Sequence, residues 1–148
     1  ISAGSQPTSI EKRTKAGALI WRYISNIQSR ATAFESDREK FCYMASFGQI
    51  IKVDPEGNEV WNYDIANGFP INGLQVDSDG NVYGAQGEAN ATSYIFKLNS
   101  DGVQEFEGEV AHSGPNTGCC SLHLFSNFKS PDGAQAKDPV RFYLVSSG

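Results

Sequence analysis

The chain has 148 residues, of which 39% are hydrophobic and 20% are charged, and this composition is that of a folded globular protein and excludes a disordered one. The formal net charge is −5, and the Lys and Arg residues are scattered instead of forming a basic stripe, which argues against a nucleic-acid partner. No apolar run approaches the roughly 18 residues that a membrane-spanning helix needs, so we expect no membrane span.

One phrase occurs three times along the chain, after a segment 1–9 that we expect to be the incoming strand of a preceding repeat. Each copy has an Ile, a Lys two residues later, a Gly five residues after the Lys, and an aromatic residue four residues after the Gly. The copies are Ile10, Lys12, Gly17, Trp21; then Ile50, Lys52, Gly57, Trp61; then Ile95, Lys97, Gly102, Phe106. Recurrence at roughly 40 to 45 residues is typical of a repeat architecture and divides the chain into repeats 10–49, 50–94 and 95–148.

Each repeat is predicted to contain two hairpins. The Gly of the phrase closes the first turn, since it tolerates the positive φ that such turns need, and the flanking residues alternate with the period of a β-strand. A second turn leads into a strand that carries Tyr43, Tyr83 or Tyr143, and Asp37 and Asp77 each precede their Tyr by six residues. The third repeat is longer between 125 and 138, where we expect an insertion.

Four short antiparallel strands per repeat are typical of a β-propeller blade, so the predicted fold is all-β with about three four-stranded blades. The stretch 51–61 resembles the repeat of the quinoprotein-like (PQQ-like) β-propeller superfamily, which combines a small apolar strand, an Asp turn that ends in Gly, and a Trp. The resemblance implies that Trp21, Trp61 and Phe106 pack in the core between neighbouring blades. The recurrent Tyr43, Tyr83 and Tyr143 are interpreted as further packing residues of this core.

Three blades are too few to close a propeller, which needs roughly four to eight. The blades would leave strand edges and sheet faces exposed at both ends. The expected partners are therefore other copies of the chain or the remainder of a longer propeller chain.

The adjacent pair Cys119 and Cys120 is the most unusual local feature. The quinoprotein resemblance implies a weak candidate for cofactor contact, because some members place such a pair against the quinone; the alternative is that both are small buried residues at the start of a strand. Cys42 is predicted to lie in the core. A metal site with His112 or His123 is not expected, because Cys119 and His123 lie about 13 Å apart along an extended strand.

Three other patterns have a structural and a functional interpretation. Asp77, Asp79 and Asn81 have the spacing of calcium ligands, but Asp-Gly-Asn is also a strong turn and a downstream Glu is missing, so we predict a turn and no metal. The three lysines of the phrase are interpreted as solvated residues at strand edges. Asn90 begins an N-glycosylation sequon.

No nucleophile motif, phosphate loop or pair of acid and base is present in the sequence, so we predict no catalytic residue and no cofactor. The expected function is a non-catalytic structural or interaction scaffold in a larger protein or assembly. The alternatives are a fragment of a quinone-cofactor dehydrogenase and a glycan-binding module. The acidic, Asn-rich surface and the sequon favour a glycoprotein in an extracellular, cell-surface or virion setting.

Overall fold

The computed structural model describes residues 8–26, 31–65, 70–87 and 93–110, together with the backbone of 118–124 and 142–147. These residues form twelve β-strands and no helix. The strands are β1 Ser9–Arg13, β2 Leu19–Ile24, β3 Ala33–Ser36, β4 Cys42–Ala45, β5 Gln49–Val53, β6 Glu59–Asp64, β7 Ile71–Val76, β8 Val82–Gln86, β9 Ser93–Leu98, β10 Gln104–Val110, β11 Gly118–Leu124 and β12 Phe142–Ser147. The predicted all-β class is confirmed.

The strands form four antiparallel sheets in which each strand pairs with its neighbour in sequence. Strands β3 to β6 form one four-stranded sheet, and β7 to β10 form a second. The hairpins β1–β2 and β11–β12 form two-stranded sheets on either side of them in sequence. The first strands of successive sheets, β3, β7 and β11, lie next to one another in chain order.

The sheets do not begin where the sequence repeats begin. Each predicted repeat contains four strands, but the Ile-x-Lys phrase forms the last two strands of a sheet, as in β5–β6 and β9–β10. The repeat 50–94 thus contains the second half of one sheet and the first half of the next. The described residues therefore hold two complete four-stranded sheets and two hairpins where the sequence predicts about three blades.

Apolar side chains fill the space between successive sheets, because alternate residues of each strand face opposite sides. One cluster lies between the hairpin β1–β2 and the sheet β3–β6 and consists of Ile10, Met44, Ile51 and Val53. A larger cluster joins the sheets β3–β6 and β7–β10 and includes Tyr43, Ala45, Ile50, Leu74, Val82, Phe96 and Leu98. The hairpin β1–β2 and the two four-stranded sheets are thus packed face to face in succession.

Five hairpin turns share one geometry. In the turn 54–58, Asp54 N–H donates to Asn58 O at 2.9 Å and Gly57 N–H donates to Asp54 O at 3.1 Å, and equivalent bonds close 14–18, 37–41, 77–81 and 99–103. The fourth residue of each turn has a positive φ, which glycine adopts without strain. It is glycine in four turns and Lys40, with φ 71°, in the fifth. Four of the five turns have the predicted glycine.

Several predictions concern residues that the structure does not describe. They are most of the incoming strand 1–9, the sequon residue Asn90, His112 and the insertion 125–138. Among the residues that are described, there is no helix long and apolar enough to cross a membrane.

Candidate functional site: the contacts between successive sheets

A backbone carbonyl of one sheet accepts two side-chain hydrogen bonds from the sheet before it. The Lys12 Nζ and the Trp21 Nε1 each donate to Pro55 O at 2.8 Å. Lys12 and Trp21 lie opposite each other on β1 and β2, whereas Pro55 belongs to the turn 54–58 of the next sheet. The Lys and the Trp of the sequence phrase therefore hold the turn of the following repeat.

The same arrangement recurs one sheet later. The Lys52 Nζ donates to Ser100 O at 3.1 Å, and the Trp61 Nε1 donates to the same oxygen at 2.9 Å. Lys52 is only 7% exposed, and its ammonium group lies 4.5 Å from the centre of the Phe41 ring, so a hydrogen bond and an aromatic face compensate for burial of the charge. The interpretation as a solvated edge residue was therefore wrong for Lys52, which is buried on a strand paired on both sides.

The Trp rings also cover the glycines of these turns. A Cβ atom placed on Gly57 would lie 2.8 Å from Trp21 Cδ2, and one on Gly102 would lie 2.8 Å from Trp61 Cδ2. Carbon atoms do not approach that closely without strain. The glycine thus serves the turn through its φ and also leaves room for the indole ring of the preceding sheet.

A tyrosine two residues after each Trp makes a third bond to the next sheet. The Tyr23 hydroxyl donates to Glu59 Oε2, and the Tyr63 hydroxyl donates to Gln104 Oε1. Burial raises the pKa of both tyrosines, and the bond to the Glu59 carboxylate raises that of Tyr23 further. Both phenols therefore stay protonated, as hydrogen-bond donors, to a higher pH than a free tyrosine.

We call each Lys, Trp and Tyr set, with the turn that it holds, an intersheet clamp. The first clamp joins Lys12, Trp21 and Tyr23 to the turn 54–58 and Glu59, and the second joins Lys52, Trp61 and Tyr63 to the turn 99–103 and Gln104. Trp21 and Trp61 are half-buried in these clamps between successive sheets.

The third copy of the phrase lacks two of the three clamp residues. Phe106 stands in place of Trp and is 47% exposed instead of being buried in a core, and Gly108 stands in place of Tyr. The Phe106 ring lies over Gly108, since a Cβ there would be 2.7 Å from Phe106 Cζ. Lys97 forms an ion pair with Glu105 at 2.5 Å. Within the described part of the chain, no turn lies against this third set.

The first turn of the series is correspondingly uncovered. A Cβ atom placed on Gly17 would meet nothing within 4 Å, in contrast to Gly57 and Gly102. Leu19, which occupies the position of Glu59 and Gln104, is exposed. Of the three turns of the phrase, two are held by complete clamps and the turn 14–18 is held by none in the described residues.

Two of the three recurrent tyrosines, Tyr43 and Tyr83, are anchored to the second turn of their repeat, and the side chain of Tyr143 lies outside the described residues. The Tyr43 hydroxyl donates to Asp37 Oδ2 at 2.9 Å, and the Tyr83 hydroxyl donates to Asp77 Oδ2 at 3.0 Å. Both tyrosines are buried, and burial followed by the carboxylate bond raises the pKa of each phenol. The spacing of six residues between Asp and Tyr is explained by this bond.

Both carboxylate oxygens of Asp77 accept hydrogen bonds from its own turn and from the strand that follows it. Its Oδ1 accepts bonds from the backbone N–H groups of Asp79 and Asn81 at 2.9 Å, and Oδ2 accepts from Asn81 Nδ2 and the Tyr83 hydroxyl. Among the described residues no cluster of His, Cys, Asp or Glu could hold a metal ion.

The three cysteines lie on two strands, Cys119 and Cys120 on β11 and Cys42 on β4. Cys119 and Cys120 belong to β11, where the pairing register shifts between Gly118 and Cys120, and His123 lies opposite Tyr143 of β12. The side chains of this hairpin lie outside the described residues. Cys42 is a half-buried free thiol on β4, and burial raises its pKa.

Sequence reasoning missed the acceptors of the clamps. Pro55 and Ser100 contribute only backbone carbonyl oxygens, which leave no pattern in the sequence. Glu59 and Gln104 had a detectable signal, because each lies two residues after the Gly of the phrase and each faces a Tyr two residues after a Trp.

Comparisons with known proteins show the fold alone. Neither protein-family models nor curated proteins give a match to this chain. The chain is similar to a crystal structure of a protein of unknown function from Bacteroides caccae, with a TM-score of 0.63 and 17% sequence identity. The match covers 98% of this chain and 56% of that one, so the chain spans little more than half the length of the solved protein.

Proposed function

We propose that this chain is a segment of a β-propeller, with blades related to the quinoprotein-like repeats, and that it serves as a non-catalytic structural or interaction scaffold. The observation that carries the proposal is the repetition of the intersheet clamp. Lys12 and Lys52, the polar groups that the sequence repeats, donate to turns of the next sheet and are not left free for a substrate. These recurrent lysines thus hold one sheet against the next through hydrogen bonds.

Two observations support the propeller arrangement. The four-stranded sheets are antiparallel with strands in sequence order, and the first strands β3, β7 and β11 lie side by side, as the innermost strands of successive blades would. The apolar clusters lie between the faces of successive sheets.

The clamps also weigh against the glycan-binding alternative. A sugar stacks on an accessible aromatic face, whereas Trp61 covers Gly102, donates to Ser100 O and lies 6.1 Å from the Tyr43 ring, measured between ring centroids. The dehydrogenase alternative depends on Cys119 and Cys120, and no contact of the described side chains adds support to it.

Trp61→Ala tests the scaffold function. We expect a loss of about 2–4 kcal/mol in the free energy of unfolding, because the change removes a large apolar contact and a hydrogen bond between two sheets. Urea denaturation measures it, and Val60→Ala is the control, since Val60 lies next in the same strand with an exposed side chain. We expect the control to lose less than about 0.5 kcal/mol.

Two results would contradict the scaffold proposal. Unchanged stability of Trp61→Ala together with lost binding on a glycan array would favour the glycan-binding module. An absorbance band of bound quinone after reconstitution of the unaltered chain with pyrroloquinoline quinone and calcium would favour the dehydrogenase fragment.

A further inference from the structure

The ammonium groups of the three repeated lysines all lie within 6.0 Å of the centroid of an aromatic ring. A cation at such a distance is attracted by the negative face of the ring. Lys52 has the shortest distance and is the one with two rings beside it. The neighbours are Trp21 at 6.0 Å for Lys12, Phe41 at 4.5 Å and Tyr43 at 5.4 Å for Lys52, and Tyr83 at 5.8 Å for Lys97.

The surroundings of the Lys52 ammonium group suit a cation although they provide no anion. The side chain is buried, and within the described part of the chain no carboxylate forms an ion pair with it. An ammonium group has three N–H donors, and Ser100 O accepts from it at 3.1 Å. That carbonyl and the faces of Phe41 and Tyr43 therefore take the place of a counter-ion.

The groups around this ammonium are held in place by bonds that do not involve the lysine. The Tyr43 hydroxyl donates to Asp37 Oδ2 at 2.9 Å, and the backbone N–H of Phe41 donates to Asp37 Oδ1 at 2.9 Å. Ser100 lies in a hairpin turn that is closed by its own backbone hydrogen bonds. The two rings and the carbonyl thus form a preorganised site, which should persist when the lysine side chain alone is shortened.

We propose that Phe41, Tyr43 and Ser100 O form a cage selective for a primary alkylammonium ion, and that Lys52 occupies this cage as an internal ligand. The inference rests on the proposed function, because the cage is part of the second intersheet clamp. Phe41 and Ser100 are half-buried, so the cage reaches the surface at the end of the sheets where the turns lie. Once the lysine side chain is shortened, the cage should accept the matching cation from solution.

Addition of propylammonium to Lys52→Ala tests the cage. The substitution removes the side chain beyond Cβ, which has the length and charge of propylammonium. We expect the melting temperature of Lys52→Ala to rise with propylammonium concentration. At about ten times the dissociation constant, the ratio of folded to unfolded chain should be about tenfold higher than without the cation. The unaltered chain, whose cage is filled, should show no such rise.

Neutral 1-propanol and the variant Lys97→Ala are the matched controls. 1-Propanol has the length of propylammonium without its charge, so it should not stabilise Lys52→Ala at the same concentrations. Lys97 has the same repeat position, but it pairs with Glu105 and its side chain is 28% exposed, so propylammonium should not stabilise Lys97→Ala. Phe41→Leu combined with Lys52→Ala keeps an apolar side chain but removes the closer ring, and it should weaken propylammonium binding at least about threefold.

Equal stabilisation by 1-propanol would overturn the proposal, because the site would then be an apolar cavity. A folded Lys52→Ala that propylammonium does not stabilise would overturn it as well. If Lys52→Ala does not fold, proton NMR of the unaltered chain decides. The rings of Phe41 and Tyr43 should shift the Lys52 Hε signals upfield of those of the exposed Lys15, and unshifted signals would contradict the cage. None of these results bears on Trp61→Ala, so the scaffold function is tested separately.

Discussion

Lys40 departs from a rule that the other turns obey, because it carries a positive φ of 71° where the four equivalent turns have glycine. A side chain in that conformation costs about 1–2 kcal/mol relative to glycine, and glycine loses part of this advantage through its greater freedom in the unfolded chain. We therefore expect Lys40→Gly to raise the free energy of unfolding by about 0.5–1 kcal/mol in a urea titration. The control Arg38→Gly lies in the same turn at a residue without positive φ and should lower it; a lower stability for both would contradict the interpretation.

Tyr43 gives the fold a dependence on alkaline pH. Burial and the Asp37 bond favour the protonated phenol, so the pKa of Tyr43 is higher in the folded chain than the value of about 10 in the unfolded one. The resulting stabilisation is complete below about pH 10 and is lost as the pH rises above it, because only the unfolded chain then releases the proton readily.

Tyr43→Phe should make this pH dependence shallower. The variant loses about 1 kcal/mol at neutral pH with the hydrogen bond, and its melting temperature should then fall less steeply between about pH 9 and pH 11 than that of the unaltered chain. Tyr83→Phe, which removes the equivalent bond to Asp77, should behave in the same way. Equal alkaline slopes for the unaltered chain and both variants would show that these phenols are not responsible.

At the scale of the elements, two turn glycines allow the cost of backbone strain to be distinguished from the cost of disturbing a contact between sheets. Gly102 and Gly80 have nearly the same φ, 80° and 79°, but an added Cβ meets Trp61 at 2.8 Å in one case and only an ordinary contact with Ser100 at 3.4 Å in the other. Gly80→Ala should lose about 1 kcal/mol from strain alone. Gly102→Ala should lose a further 1–3 kcal/mol or so, because the indole ring must move. Equal losses of stability for Gly80→Ala and Gly102→Ala in thermal or urea unfolding would contradict this expectation, because they would show that the Trp61 ring moves at no cost in free energy.

The same elements show what sequence could predict of the fold. Turn glycines and alternating residues such as Trp61 and Tyr63 predicted the strands and hairpins, since these signals are local. The grouping into sheets could not be predicted, because the phrase from Ile50 to Trp61 is a unit of sequence that forms the second half of a sheet. The hydrogen bonds between β4 and β5 join the phrase to the two strands before it in one sheet, and no local pattern in the sequence predicts this pairing.

Across the whole molecule, sequence predicted which residues recur but not what they do. Trp61 lies half-buried between two sheets, where it was expected, but its hydrogen bond to Ser100 O was not predicted. Lys52 was expected in solvent and is buried, and Phe106 was expected to be buried and is about half exposed. Trp61 and Lys52 both depend on Ser100, which lies 39 and 48 residues away from them in sequence. The acceptors are carbonyl groups that every residue possesses, so only coordinates reveal the pairing.

Because the acceptors are backbone carbonyl groups, the hydrogen bonds that join the sheets do not depend on the side chains that the turns expose. Pro55 and Ser100 accept the same two bonds although their side chains have nothing in common, and the next residues, Glu56 and Asp101, are exposed. The turn tips can therefore change their outward chemistry while the contact beneath them stays constant. For a protein engineer these positions form a row of interchangeable display sites on a fixed frame, where a new recognition surface could be selected by randomising the turn tips alone.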